Sequence, residues 1–371
     1  MERLKRLLDY LEEHINPDHC CQVQDRYRRA LSFETICRPP LVISCDESPL
    51  GLRPFGYAEA FDNPAKMMFN QLLSQVALGV KLRDDSPLAI RNDHGIIQVG
   101  AYLGGQWQIT EDNHPWMGHI ENRQQLEQVV FNPLRLDLEK GGIVRRSLET
   151  LRFYRQTLSE YPICRKSIQI SMPDLQGPFD NAHLLWGNEV FNAFYTEPGF
   201  LSALMDRMVE AMLVLEKIYR PLTKDHLQPF GTTQHTYVIP GRLLIRDDTS
   251  IMVSPDMYRE FIGSHHARLL KEVGRGSIHS CGNAQHLVDG MLEIPNMVGL
   301  DLSQPELMDI EKVYKKCASR QVSITDLHRS AEDLISGRAW KMFPTGVVFV
   351  YRAKTLQEAK GITKAYFQNR K

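Results

Sequence analysis

Residues 277–302, "SIHSCGNAQHLVDGMLEIPNMVGLDL", set the strand–helix rhythm from which the fold is predicted. A β-rich run ends at His279, a helical stretch follows over 286–292, and a second β-rich run covers 297–302. The same alternation continues to the end of the sequence, with helices predicted over 306–316, 331–340 and 356–367 and strands over 321–325 and 347–351. Such repeats are typical of parallel strands joined by crossover helices. The last third therefore predicts an α/β protein.

Upstream, the rhythm persists with longer connections. Strands are predicted over 41–45, 167–171 and 243–245, and helices over 199–219 and 255–273. The second helix has Ser254 as its predicted N-cap and Pro255 in its first turn, where a missing N–H costs nothing. Seven or eight parallel strands result, and a closed (β/α)8 barrel (TIM barrel) is the architecture that fits them best.

The chain is predicted to be one domain, 1–371, with additions to the barrel. Helices occupy 1–35, the first of them amphipathic, and an insertion of hairpin-like strands and loops covers 84–135. Within the insertion, 88–105 is predicted to form the hairpin strands and 92–95, "NDHG", a turn. Asp84 and Asp85 are interpreted as a solvated turn.

Composition narrows the function classes. Lys and Arg number 44 against 45 Asp and Glu, so the basic excess typical of nucleic-acid binders is missing. No run of eighteen apolar residues predicts a membrane span, and the charged N-terminal helix does not resemble a secretory signal. Seven cysteines without a C-x-x-C pair indicate a reduced, cytoplasmic protein. A small-molecule substrate is expected, and a homodimer is an open possibility.

Polar side chains at the predicted strand ends are the candidate site residues, because barrel active sites form at the carboxyl ends of the strands. Arg246 is expected to offset their negative charge. The candidates are Asp46, Asp174, Asp247, Asp248, His279, Cys281, Asp301, Gln304, Asp326 and Tyr351.

His279 and Cys281 are the most informative pair. Alternate residues of an extended segment point the same way, so both side chains can reach one point. An imidazole nitrogen and a thiolate are zinc donors. The alternative is a histidine that binds a backbone carbonyl beside a buried, inert cysteine. Spacing alone leaves both interpretations open. Two further histidines, His265 and His266, fall within a predicted helix and are interpreted as surface or packing residues.

These motifs lie in a wider pattern that resembles the uroporphyrinogen decarboxylase superfamily, whose members include porphyrinogen decarboxylases and enzymes that transfer methyl groups among corrinoid proteins, coenzyme M and related thiols. The resemblance covers most of the chain. The matching segments are 26–40 ("RYRRALSFETICRPP"), 177–179 ("GPF"), 246–248 ("RDD"), 254–261 ("SPDMYREF"), 279–283 ("HSCGN"), 300–301 ("LD") and 353–359 ("AKTLQEA").

The methyltransferase branch is the closer one, and it implies zinc. There an H-x-C pair and a later cysteine near the last strand hold a zinc ion that activates a thiol. This chain has His279 and Cys281, but 346–351 contains no cysteine, and Cys317 falls in a predicted helix. Asp301 is therefore predicted either as a third ligand or as the residue that orients His279. The resemblance also implies a corrinoid carried by a partner protein.

The remaining site residues receive roles from the same resemblance. Asp247 or Asp248 would bind a cationic or N–H-bearing part of the substrate, and Tyr351 would stand where the family's third ligand belongs. Substrate-binding positions are predicted at Arg246, His235, Tyr237, Asp174 and Gln304.

Two alternatives stay open beside methyl transfer. One is decarboxylation of a porphyrinogen or another carboxylated substrate. The decarboxylases meet substrate carboxylates with an arginine-rich loop, whereas 46–53, "DESPLGLR", offers one arginine among two acids. The other is a catalytically reduced protein that binds a corrinoid carrier.

Overall fold

The computed structural model describes residues 1–134, 142–224, 227–228, 230–234 and 236–368. The strands are β1 Leu41–Cys45, β2 Ala89–Ile90, β3 Trp107–Gln108, β4 Trp116–Met117, β5 Gln169–Ile170, β6 Gly231–Gln234, β7 Tyr237–Pro240, β8 Leu243–Arg246, β9 Gly276–Ser280, β10 Met297–Leu302, β11 Ser323–His328 and β12 Val347–Ala353. The α-helices are α1 Glu2–His14, α2 Pro17–Leu31, α3 Tyr57–Phe61, α4 Pro64–Gln71, α5 Ala77–Leu82, α6 Gln98–Tyr102, α7 Arg123–Phe131, α8 Ile143–Ser159, α9 Pro162–Ser167, α10 Pro178–Trp186, α11 Glu189–Thr196, α12 Pro198–Tyr219, α13 Pro255–Met257, α14 Ser264–Val273, α15 Val288–Leu292, α16 Ile310–Ser319, α17 Ala331–Ser336, α18 Arg338–Met342 and α19 Leu356–Gln368. Two π-helical segments, Leu72–Val76 and Tyr258–Gly263, and four 3₁₀ turns, Arg220–Leu222, Asp248–Met252, Gln285–Leu287 and Pro305–Leu307, complete the order.

A six-stranded parallel sheet forms the centre of the molecule, in the order β1-β12-β11-β10-β9-β8. β2 and β5 form a separate parallel pair. The edge of β1 lies next to the segment that leads into β2, since the Asp85 N–H donates to the Leu41 carbonyl at 2.9 Å. This mixed α/β arrangement is compatible with the predicted barrel.

Strand register places one row of polar side chains on a single face of the sheet. Arg246 of β8 pairs with His279 of β9, His279 with Asp301 of β10, and Asp301 with Thr325 of β11. The preceding residue of each strand points to the opposite face, because side chains alternate along a strand. Those preceding residues, such as Ile278 and Leu300, are buried in the apolar core.

Most of the predicted helices form, with corrected boundaries. The helix over 255–273 is confirmed as α13, a π-helical segment and α14, and Ser254 Oγ accepts from the Met257 N–H at 3.2 Å. The single helix predicted over 331–340 is wrong, because Gly337 adopts φ 77° and divides it into α17 and α18. A left-handed residue cannot continue a helix, and glycine takes that conformation without a steric penalty.

The interpretation of Asp84 and Asp85 as a solvated turn is wrong. Both are buried, and their carboxylates accept the N–H groups of Ile43 and Leu41 at 2.7 and 2.9 Å. Asp85 also pairs with two arginines, Arg26 of α2 and Arg38. These carboxylates satisfy buried backbone donors of β1, which explains why acidic residues occupy an interior position.

The hairpin predicted over 88–105 is also wrong. Ala89–Ile90 pairs in parallel with β5, and Gln98–Tyr102 is helical. Antiparallel pairing in this region occurs between β3 and β4, further along the predicted insertion. His94 is buried, with Nδ1 3.2 Å from Ser147 Oγ. The boundaries 1–35 and 84–135 as additions to one domain stay a prediction.

The N-terminal helix has the amphipathic character predicted for it. α1 buries one face, made of Leu4, Leu7, Leu8 and Leu11. Across the described ranges, no helix has the length and apolar character needed to cross a membrane.

Candidate metal centre

The candidate site lies at the carboxyl end of β9, where one residue separates His279 from Cys281. His279 Nε2 is 3.3 Å from Cys281 Sγ and 3.5 Å from Asp248 Oδ1. Asp248, His279 and Cys281 each offer one ligand atom, and these three atoms lie within 4.8 Å of one another. The predicted pair therefore has a third donor close by, from the loop after β8.

Asp301 stands behind His279, on the other ring nitrogen. Its Oδ2 is 2.7 Å from Nδ1 of His279 and accepts the Tyr237 hydroxyl at 3.1 Å, while Oδ1 accepts the Thr325 hydroxyl at 2.7 Å. A carboxylate on Nδ1 fixes the ring orientation and leaves Nε2 directed at Cys281 and Asp248. Of the two roles predicted for Asp301, this geometry favours orientation of His279.

The electrostatics of this pair follow from its burial. Burial lowers the pKa of His279, but hydrogen bonds to Asp301 and Cys281 and the charge of Asp301 outweigh it and raise the pKa to about 10. Burial raises the pKa of Asp301, whereas the His279 and Thr325 hydrogen bonds and Arg246 hold it below the ordinary value. Without a metal, His279 thus carries a proton that a metal ion at Nε2 would replace.

Local backbone contacts hold Asp248 and Cys281 together. The Cys281 N–H donates to Asp248 Oδ1 at 2.7 Å. The following Gly282 has φ 74° and donates its N–H to Gln304 Oε1 at 2.6 Å. Gly282 turns the chain sharply away from the strand, so the Cys281 side chain stays at the strand end. Gln304, predicted to bind substrate, here contacts this turn.

Arg246 lies beside the cluster in a buried ion-pair group. Its guanidinium is 3.0 Å from Asp174 Oδ2 and donates to Gln234 Oε1 at 3.2 Å. Arg91 reaches the same Asp174 oxygen at 3.3 Å, and its Nε has no hydrogen-bond partner among the described residues. Burial raises the pKa of Asp174, but the two arginines outweigh it and hold the pKa below the ordinary value.

Other predicted site residues point elsewhere. Asp247 is fully buried, and its carboxylate contacts His266 and the Asp180 N–H rather than Cys281. The Tyr351 hydroxyl donates to Glu358 on α19 at 2.6 Å. His235 lies outside the described residues.

Several residues near the site were missed by the sequence analysis. Thr325 and Arg91 carried no motif: Thr325 meets Asp301 through the register of β10 and β11, and Arg91 follows β2 and reaches Asp174 with its side chain. His266, interpreted as a surface or packing residue, is fully buried and bonded to Asp247. The sequence could have indicated this contact, since a histidine on the apolar face of an amphipathic helix needs a polar partner. Asp326, by contrast, was among the predicted candidates; it has φ 58° and accepts the Ser303 hydroxyl at 3.1 Å.

The donor set is chemically suited to zinc. Imidazole nitrogen, thiolate and carboxylate oxygen are all zinc ligands, and catalytic zinc sites combine three protein ligands with one open position. Cys281 and Asp248 are only half-buried, which leaves the cluster accessible from one side. Cys317 lies buried in α16 and is outside this group.

Comparison with known proteins adds information on the fold. No protein-family model and no curated protein matches the sequence. The structure is similar to the solved structure of a methyltransferase from Methanosarcina mazei, with a TM-score of 0.63 and 16% sequence identity over 93% of this chain and 98% of that chain. At this identity the likeness establishes a shared fold across nearly the whole of both chains.

Proposed function

We propose that this protein is a zinc-dependent methyltransferase in which Asp248, His279 and Cys281 hold the metal and a thiol is the methyl acceptor. The observation that carries the proposal is the convergence of the three donor atoms within 4.8 Å. The fold shared with a methyltransferase and the sequence resemblance both support it. The proposal includes a complete (β/α)8 barrel, with β2 and β5 closing the ring between β1 and β8.

Asp248 would supply the third ligand that the sequence lacks near the last strand. The last strand carries no cysteine, yet the loop after β8 brings a carboxylate to 3.5 Å from the His279 ring nitrogen. Three protein ligands with a fourth position open to a substrate are the pattern of catalytic rather than structural zinc. A zinc ion held there would lower the pKa of a bound thiol and so supply a nucleophile near neutral pH.

The chain's own residues prepare the site for that chemistry. Asp301 orients His279, and Tyr237 and Thr325 hold the Asp301 carboxylate in place. Burial, with the charges of Asp301 and Asp326, raises the pKa of Tyr237 well above its ordinary value, so the hydroxyl stays a donor. In the transfer, a carbon–sulfur bond forms and the donor–carbon bond breaks. The electron pair stays with the donor, and the thiol proton leaves to solvent.

A corrinoid carried by a partner protein is the proposed methyl donor. Two large apolar side chains are exposed on loops that also carry site residues. Met252, 72% exposed, lies in the turn that begins at Asp248, and Leu307, 49% exposed, lies in the turn after Gln304. These are the side chains that we expect such a partner to contact.

Metal binding and methyl transfer are tested together. Purified wild-type protein is expected to bind one equivalent of zinc and, with zinc, to demethylate methylcobalamin in the presence of a small thiol, followed by the visible spectrum of the corrinoid. His279→Ala, Cys281→Ser and Asp248→Ala are expected to lose both properties. Cys21→Ser, at an exposed cysteine outside the cluster, is the matched control and is expected to keep both.

Three results would contradict the proposal. One is zinc binding that none of the three substitutions weakens. Another is activity toward a carboxylated substrate that survives chelation, which would favour the decarboxylase alternative. The third is a protein that binds zinc and a partner loaded with methylcobalamin but shows no turnover, which would favour the catalytically reduced, carrier-binding alternative.

A second candidate function follows from the same distances. The His279 ring lies between a thiol and a carboxylate: Nε2 is 3.3 Å from Cys281 Sγ, and Nδ1 is 2.7 Å from Asp301 Oδ2. A thiol beside a histidine that a carboxylate orients is the arrangement of a covalent nucleophile. This candidate predicts activity without metal, blocked by alkylation of Cys281 and indifferent to Asp248→Ala.

A further inference from the structure

A buried chain of polar side chains lies directly behind Asp248. It consists of Asp180 on α10, Asp247 directly after β8, His266 on α14 and Tyr258 in the π-helical segment. Asp247, His266 and Tyr258 are fully buried, and Asp180 is 7% exposed. The metal centre does not include any of them.

The contacts form one continuous path. The Tyr258 hydroxyl is 3.1 Å from Nδ1 of His266, and Nε2 of His266 bonds Asp247 Oδ2. Asp247 Oδ1 accepts the N–H of Asp180 at 2.7 Å. Asp180 in turn accepts the N–H groups of Asp248 at 3.1 Å and Thr249 at 2.8 Å. The path therefore ends on the backbone of the residue that supplies the third donor.

The π-helical segment is what brings Tyr258 and His266 together. In a regular α-helix, residues eight apart lie about 80° beyond two full turns. A π-turn adds one residue to a turn. Residues eight apart across it therefore align as residues seven apart do in a regular α-helix, which is within about 20° of two full turns. The hydrogen bond between the two side chains depends on this local winding, and π-turns of this kind concentrate at functional sites.

We propose that Tyr258, His266, Asp247 and Asp180 are positioning residues that set the location of the Asp248 carboxylate at the metal centre. The inference rests on the proposed function, because it assigns these residues a task only if Asp248 is a ligand. It reassigns Asp247, predicted from sequence to bind substrate, to the support of its neighbour.

The stability of the fold does not require a polar path at this place. A buried ion pair is often no more stabilising than apolar residues of the same volume. Here a histidine, two aspartates and a tyrosine are kept in the interior where α10, α14 and β8 meet. Residues that hold metal ligands in place do affect the metal site. Their loss typically lowers metal affinity by about 10-fold to 100-fold.

The test is a cobalt(II) titration of the full-length protein, read by the visible absorption of the bound ion. His266→Leu and Tyr258→Phe are expected to keep one equivalent of metal but to raise its Kd by about 10-fold to 100-fold and to change the absorption bands. His266→Gln, whose side-chain N–H can still donate to Asp247, is expected to restore the wild-type bands and most of the affinity.

Two matched controls separate positioning from general damage. His265→Leu removes the neighbouring buried histidine, which contacts Phe261, Ser202 and Asp206 instead of Asp247. Tyr154→Phe removes a buried hydroxyl that has no hydrogen-bond partner among the described residues. Both are expected to leave the cobalt bands and Kd unchanged. If His266→Leu fails to fold, Tyr258→Phe, which removes a single oxygen, carries the test.

The outcomes are distinguishable. Wild-type protein that binds no cobalt overturns the proposed function and this inference together. Wild-type protein that binds cobalt through His279 and Cys281, with bands and Kd unchanged in His266→Leu and Tyr258→Phe, overturns the inference and leaves the proposed function standing. Equal loss of affinity in His266→Leu and His265→Leu also overturns it.

Discussion

Gly177→Ala is expected to destabilise the protein, although glycine-to-alanine changes at ordinary backbone angles usually stabilise. Gly177 has φ −115° and ψ 170°, which alanine adopts without strain. Restriction of the unfolded chain alone would then raise the free energy of unfolding by about 0.4–1 kcal/mol. A Cβ at this position, however, would lie 2.7 Å from the Arg246 carbonyl oxygen and would overlap the Asp247 carboxylate.

Neither obstacle can move at low cost. The Arg246 carbonyl belongs to β8, and the Asp247 carboxylate bonds His266 and the Asp180 N–H. Overpacking costs about 1–3 kcal/mol. Displacement of Asp247 leaves buried donors unsatisfied, at about 1–3 kcal/mol more. After the gain from the unfolded state, we expect a net loss of about 1–5 kcal/mol.

Urea denaturation followed by circular dichroism measures this loss. The matched control is Gly361→Ala in α19, where an added Cβ meets no atom within 4 Å and a gain of about 0.5–1 kcal/mol is expected. Gly177→Ala with a free energy of unfolding equal to or above that of wild type would refute the steric reasoning.

Three further predictions concern single side chains. Asp301→Asn is expected to bind one equivalent of zinc with an affinity about 10-fold to 100-fold lower, since the ligands remain but His279 is held less firmly. Affinity is measured by chelator competition, and complete loss of zinc would indicate that Asp301 is a ligand. Asp85→Asn is expected to lower the free energy of unfolding in urea by about 3–5 kcal/mol, because two arginines lose their buried partner; a change below about 1 kcal/mol contradicts this. Burial lowers the pKa of His94 to about 4, so between that pH and 6.5 the unfolded chain binds a proton that the folded chain does not, and stability is lost as pH falls through this range. His94→Gln is expected to remove up to about 3 kcal/mol of that pH dependence in urea titrations at several pH values, and an unchanged slope would contradict it.

The fold was predictable where local signals were strong. The alternating strands and helices after residue 277 follow from apolar runs and caps that depend on neighbouring residues only. The parallel pairing of Ala89–Ile90 could not be predicted in this way, because a two-residue strand has almost no periodicity. The environment of Asp84 and Asp85 was predicted wrongly for a related reason. Two adjacent acidic residues indicate a surface turn unless their distant partners on β1 are known.

The candidate site was predictable in part. His279 and Cys281 stand out because two residues of one strand suffice to bring them together. Asp248 and Asp247 are neighbours with different surroundings, and the sequence could not say which carboxylate faces Cys281. That depends on the 3₁₀ turn after β8 and on Asp180, which is 68 residues away from Asp248 in the chain.

The polar row formed by Arg246, His279, Asp301 and Thr325 also makes the sheet intolerant of misalignment. A shift of β10 by one residue would turn Asp301 toward the apolar layer. A shift by two would set His279 opposite Gly299 or Ser303, neither of which offers a carboxylate. Each wrong alignment leaves the buried imidazole of His279 without the carboxylate that pairs with it. A chain with such a misaligned sheet is therefore destabilised at the proposed site of the chemistry.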